Sequence, residues 1–201
     1  MRGSLKLIAT SFMRPLAKWR LRQLGRLSPA RLHLGCGGTL LAGWINVDLV
    51  GQPANIHWDL RHRLPIPDGS VDAVFHEHLL EHLPLPAALP LLRESRRLLR
   101  SGGILRVGVP DVERYIRDYV ELDGYAATNR PNRPTRLLAL GELVYGYQHR
   151  SLWDRSTLCL ALQEVGFEHV SVRPFGDSAI EPAPDSPKRA AETLYVEGLN
   201  P

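Results

Sequence analysis

Arg31-Leu-His-Leu-Gly-Cys-Gly-Gly38, with Ile45-Asn-Val-Asp-Leu49 following after six residues, decides how this chain folds. It reads as a buried strand, a glycine turn and a second strand that ends in an acid. Glycines at 35, 37 and 38 permit positive φ and let a ligand rest on main-chain N–H groups that any Cβ would block. Asp48 falls where nucleotide-binding α/β folds carry the carboxylate that accepts both ribose hydroxyls. The pairing predicts an adenosine-type cofactor held by Leu34, Gly35, Cys36, Gly37, Gly38, Asp48 and Leu49. A dinucleotide is disfavoured. No Gly-x-Gly-x-x-Gly is present, and the acid comes 10 residues after Gly38, where roughly 20 would be expected.

Outward from this stretch, apolar and β-branched runs predict strands near 31–35, 45–49, 56–59, 71–76, 104–109, 169–175 and 193–198. Helices fit 86–100, 111–122 and 153–165, with Pro110-Asp111 opening the second and a Ser151-x-x-Asp154 capping box opening the third. Gly102-Gly103 reads as a left-handed cap on the first. Alternating strands and helices predict a doubly wound, mostly parallel α/β sheet. Ligands of such sheets bind beyond the carboxyl ends of the strands, which gathers Gly35 to Gly38, Asp48, Asp59, His76 to His82 and Pro110-Asp111 around one crevice. The six residues before Ile45 leave no room for the usual first helix.

Together with Trp58-Asp-Leu60, Pro67-Asp-Gly-Ser-Val-Asp-Ala-Val74, Leu79-Leu-Glu-His-Leu83 and Leu99-Arg-Ser-Gly-Gly-Ile-Leu105, the opening stretch resembles class I S-adenosylmethionine-dependent methyltransferases. The likeness is closest to the small bacterial, type 11-like branch. It covers residues 30 to 110 strongly and 150 to 200 more loosely. The resemblance implies a Rossmann-like seven-stranded sheet with a shortened first helix, S-adenosylmethionine as cofactor, and a single methyltransferase domain over 29–201. It also implies that Asp59 takes the adenine amino group, that the Leu60 N–H meets a ring nitrogen, and that His76 lies beside the cofactor. The family usually has an acid two residues before the first glycine. Here that residue is His33, so contact with the cofactor's ammonium is expected to shift to main-chain carbonyls. No Asn- or Asp-Pro-Pro-aromatic motif follows the fourth strand, which disfavours methylation of a base amino group.

His76-Glu-His-Leu-Leu-Glu-His82 is rich in titratable groups. On a helix His78, Glu81 and His82 would share one face, the arrangement of inverted zinc proteases. Pro84, Pro86 and the strand that feeds the segment exclude that reading. The segment also resembles the E-x-x-E-H motif of metal-dependent O-methyltransferases, with His78 in place of the first glutamate, and hard cations prefer oxygen. No metal is expected, and His78, Glu81 and His82 stand as the alternative ligands. His82 is the first candidate for the base, followed by His149 and Asp111. The reading is O-methylation of a small, sugar-like or lipid-linked anionic acceptor. A non-catalytic adenosyl-binding module of the same fold is the rival.

At 201 residues the chain suits one α/β domain with short additions. Residues 1–31 carry eight Lys or Arg and no acid, leaving 17 bases against 21 acids beyond. Leu16, Trp19, Leu21 and Leu24 interleave with those bases, so residues 1–28 suit either an amphipathic leader on an anionic membrane or a helix docked on its own domain. Nucleic acid is not expected from so short a basic arm. The absence of a long apolar run predicts a cytoplasmic protein, peripheral on the inner membrane surface if the leader binds lipid. Residues 124–150, with Arg130, Arg133, Arg136 and Tyr145-Gly-Tyr-Gln-His-Arg150, read as a basic loop forming a substrate lid. Residues 178–190 read as a flexible connection. Cys36 and Cys159 form no disulfide framework.

Overall fold

The computed structural model describes residues 2–24, 30–50 and 53–201. Seven strands form one sheet: β1 (Arg31–Leu34), β2 (Ile45–Asp48), β3 (Ile56–His57), β4 (Val71–Glu77), β5 (Leu99–Pro110), β6 (Glu168–Arg173) and β7 (Thr193–Leu199). Their order is β3-β2-β1-β4-β5-β7-β6, with only β7 running against its neighbours. This is the mostly parallel, doubly wound sheet expected. The strand order reverses between β1 and β4, so the crevice of such a sheet opens beyond their carboxyl ends. Leu32, Leu34, Val47, Val74, Leu105 and Val107 are wholly buried, as strands covered on both faces require.

The missing first helix is replaced by a turn that one side chain holds. Asn46 accepts from Leu41 N through Oδ1 and donates through Nδ2 to the carbonyls of Leu41 and Trp44. Asn55 Oδ1 then accepts from both Asn46 N and Nδ2. His33, expected near the cofactor's ammonium, is buried between this network and Phe75. Its Nδ1 lies 3.0 Å from Asn46 Oδ1, and burial lowers its pKa.

Helices α1 (Arg2–Phe12) and α2 (Arg14–Leu24) precede the sheet. Ala17 and Leu21 of α2 enter the main core beside β3, while Leu16 and Trp19 face outward. The Leu24 side chain and residues 25–28 of the leader lie outside the described residues. Among those described, no helix is long and apolar enough to cross a membrane.

Several features differ from expectation. Helix α3 (Leu85–Leu98) ends before Gly102-Gly103, and Gly102 N donates instead to Asn200 O, so these glycines bend the start of β5. Helix α4 (Val112–Glu121) begins at Asp111 as expected. The lid region is a pair of helices, α5 (Tyr125–Asn129) and α6 (Arg136–Tyr145), packed on α4 through a small core of Val112, Tyr115, Ala126, Ala139 and Leu143. Helix α7 (Arg155–Glu164) is capped by Asp154 alone, because the Ser151 hydroxyl donates to Leu80 O. The segment expected to be flexible is clamped by buried Arg106, which binds Asp185 at 2.6 Å and Glu197 at 2.9 Å.

Candidate functional site

Two cavities meet at the carboxyl ends of the central strands. The first, about 540 Å³, is walled by Leu49, Trp58, Leu60, Leu79 and Leu83, with Gly35 and Asp48 at its base. Gly35 has φ +64°, and a Cβ there would lie 2.6 Å from Leu79 Cδ1. Any side chain at 35 therefore collides with this wall. Gly37 also has positive φ and directs its N–H to Asp48 Oδ2 at 2.7 Å, while Leu49 N donates to Oδ1 at 2.6 Å. Each carboxylate oxygen has a second lone pair available, so Asp48 can still accept two hydroxyl donors. Gly38 lacks positive φ, a departure from the expectation for three such glycines.

Asp59 and Leu60 also line this cavity. Burial works to raise the Asp59 pKa, but a two-pronged ion pair with Arg61, at 3.0 and 2.8 Å, holds it below the usual carboxylate value. Leu34 and Cys36, expected to touch the cofactor, are buried in the framework beneath the turn. Burial pushes the Cys36 thiol up to about 11, which leaves it unsuited to nucleophilic work. His76 is a correction: it lies inside β4, fully buried, with neither ring nitrogen hydrogen-bonded, and it lines neither cavity. The strand continues to Glu77, so the crevice begins one residue later than expected.

The second cavity, about 470 Å³, is lined by His78, Glu81, Arg130, Tyr147, Lys188 and Arg189, among others. His82 and His149 line both cavities, with ring centroids 5.1 Å apart. His149 is half-buried and His82 opens to solvent at the cavity mouth; desolvation by the surrounding walls lowers the pKa of each, which favours the neutral ring. Residues 78–82 are not α-helical, so His78, Glu81 and His82 share no helical face. His78 is left-handed (φ +52°), and Leu80–His82 is a single 3-10 turn. Asp111, the third candidate base, is spent on capping α4 through Arg114 N and lines neither cavity.

Several residues of the site carried no signal in the sequence. Lys188 and Arg189 come from the segment read as a connection, and Arg61 from a turn. Leu7 of α1 closes one side of the first cavity, where Thr10 Oγ1 also accepts from Val50 N at 3.0 Å. Glu77 ties the segment that carries Lys188 and Arg189 to β4 by accepting from Ser186 N at 3.1 Å, and it also accepts from Tyr195 OH of β7 at 2.6 Å.

Comparison with known proteins matches residues 44–107 to a methyltransferase domain. A protein of transposon Tn4556 from Streptomyces fradiae is 41% identical over 69 residues, covering 34% of this chain and 19% of that protein. The chain thus spans about a fifth of the length of that curated relative. A crystal structure of a SAM-dependent methyltransferase from Archaeoglobus fulgidus aligns over 92% of this chain and 94% of its own, with TM-score 0.53 and 17% identity. The putative methyltransferase complexed with the Haloferax volcanii Trm112 activator aligns over 96% and 93%, again with TM-score 0.53 and 17% identity.

Proposed function

Taking the chain as a class I S-adenosylmethionine-dependent methyltransferase, which its fold and the domain match over residues 44–107 support, we propose that it methylates an oxygen of a small anionic acceptor. One observation carries this reading: His82 and His149 stand in the walls of two adjoining cavities at once.

The first cavity fits the cofactor. Its apolar walls suit an adenine, Asp48 suits the ribose hydroxyls, and the left-handed turn at Gly35 lets Leu79 pack against the backbone as part of that wall. S-adenosylmethionine supplies an electrophilic methyl group when bound. The protein's own part is to align and to move a proton. Arg130, Lys188 and Arg189 attract a carboxylate or phosphate into the second cavity. His82 and His149, whose neutral rings desolvation favours, offer lone pairs to the acceptor hydroxyl. Helices α5 and α6 serve as the lid that carries Arg130 and leads into His149.

Calorimetric titration with S-adenosylhomocysteine tests the first half of the reading, and one-to-one binding is expected. Transfer of labelled methyl to small hydroxylated carboxylates and phosphates tests the second. Absence of heat from a folded chain overturns the assignment, and the non-catalytic module of the same fold falls with it.

We further propose that the leader rests on an anionic membrane surface. Ile8, Phe12, Leu16 and Trp19 are exposed, with Phe12 at 83%, beside exposed Lys18, Arg20 and Arg22. Apolar groups flanked by cations match an interface of anionic lipid. Co-sedimentation with anionic but not neutral vesicles is expected, and Phe12→Ser with Trp19→Ser abolishes it. Equal sedimentation of wild type and variant sinks the idea.

A further inference from the structure

We propose that Glu81, His82 and His149 form a site for a divalent transition-metal ion in the wall between the two cavities. Each offers one donor atom, and these atoms lie within 4.8 Å of one another. Glu81 is 1% exposed, and neither of its carboxylate oxygens has a hydrogen-bond partner. The His78 and His149 rings approach Oε1 at 3.5 and 4.0 Å without hydrogen-bonding it; a buried carboxylate without hydrogen bonds is costly, and a cation bound among these donors relieves that cost.

The His149 imidazole is prepared as a ligand. His149 Nδ1 donates to Leu143 O at 2.6 Å, which fixes the tautomer and leaves the Nε2 lone pair 4.0 Å from Glu81 Oε1. The backbone ties the pieces together, because Arg150 N and Ser151 N both donate to the Glu81 carbonyl, at 2.6 and 3.2 Å. The segment bearing His149 is thereby stitched to the turn bearing Glu81 and His82.

Two imidazoles and one carboxylate suit zinc, manganese, iron or cobalt better than magnesium or calcium, which favour all-oxygen sets. Metal bonds of about 2.0–2.2 Å would hold the donors roughly 3–3.5 Å apart, so the cluster draws in on binding. Three protein ligands leave positions open toward the second cavity. Arg130, Lys188 and Arg189 line that cavity and oppose a bare cation, which favours an ion completed by an anionic oxygen of the acceptor. The alternative ligand set read from the sequence had His78 as its third member; in the structure His149 joins Glu81 and His82, while His78, with Nε2 2.9 Å from Thr193 Oγ1, keeps Nδ1 3.5 Å from Glu81 Oε1 at the edge of the cluster. With the ion bound, the imidazole lone pairs are given to it, and the acceptor hydroxyl loses its proton through the ion's lowering of its pKa instead of to His82 or His149; that use rests on the proposed methyl transfer, but the binding does not.

The test uses the full chain, stripped by chelator and titrated with Co²⁺ by visible absorption and with Zn²⁺ by calorimetry. One ion per chain is expected. Affinity should fall at least tenfold in Glu81→Gln and in His149→Ala, while His169→Ala, at an exposed site, binds as wild type. Should His149→Ala misfold, Glu81→Gln, which keeps the side chain's shape, carries the test. S-adenosylhomocysteine binding is measured in the same samples as an independent check of the first cavity. No binding by the stripped wild type, or wild-type affinity in Glu81→Gln, overturns the site. Ion binding without methyl transfer supports the site and counts against the reaction.

Discussion

The two cavities adjoin, yet they are built in opposite ways. The first draws Gly35, Asp48, Leu49, Trp58, Asp59 and Leu60 from one stretch of chain, and its key contacts are between backbone and neighbouring side chains. The second collects His78, Glu81, Arg130, His149 and Arg189 from segments up to about a hundred residues apart. A local motif can specify a ligand seat because the glycine turn and the acid must be near in sequence to be near in space. The cationic pocket exists only because α6, the 3-10 turn and the segment before β7 converge.

The largest expected effect separates the two cavities. His82→Ala and His149→Ala should each lower kcat by roughly 10²–10³-fold, with S-adenosylhomocysteine affinity within about threefold of wild type. A parallel loss of cofactor affinity would show that the cavities are not separable. Asp48→Ala should do the reverse. It removes the ribose acceptor and strands the Gly37 and Leu49 N–H groups, weakening S-adenosylhomocysteine by roughly 30–100-fold in calorimetry. Unchanged affinity would break the assignment of the first cavity.

The framework between the cavities has a pH signature. Burial drives the His76 pKa down to about 3. Between that value and 6.5 the unfolded chain binds a proton that the folded chain refuses, so stability falls as pH drops through this window. His76→Leu should remove this acid limb, gaining roughly 2 kcal/mol over wild type at pH 5 in urea unfolding. Equal acid sensitivity in the two proteins would show that other groups govern it. The smallest effect concerns acceptor charge. Arg189→Ala should raise acceptor KM about tenfold and blunt its dependence on salt, as read from initial rates at two ionic strengths.

Errors of prediction cluster where side-chain direction mattered. His76 was read along the crevice edge, but β4 runs one residue further and keeps it inside the sheet, whereas His78 does reach the second cavity. Asp111 looked like a base and is a helix cap, a role its position after Pro110 already allowed. Asn46 gave no warning of holding the turn that replaces the first helix, since five of its hydrogen bonds depend on Leu41, Trp44 and Asn55 folding back over it. Of the leader's two readings, docking on the domain is seen at Ala17 and Leu21, while Leu16 and Trp19 stay exposed.

By itself the sequence determined the sheet, the glycine turn and the carboxylate beside it, because hydrophobic period, glycine placement and short-range spacing are local properties. Tertiary structure alone decided which histidines face one another, that Glu81 is buried without a partner, and that Lys188 and Arg189 reach the second cavity. Burial and long-range approach set those features, and neither is encoded at any one position of the chain.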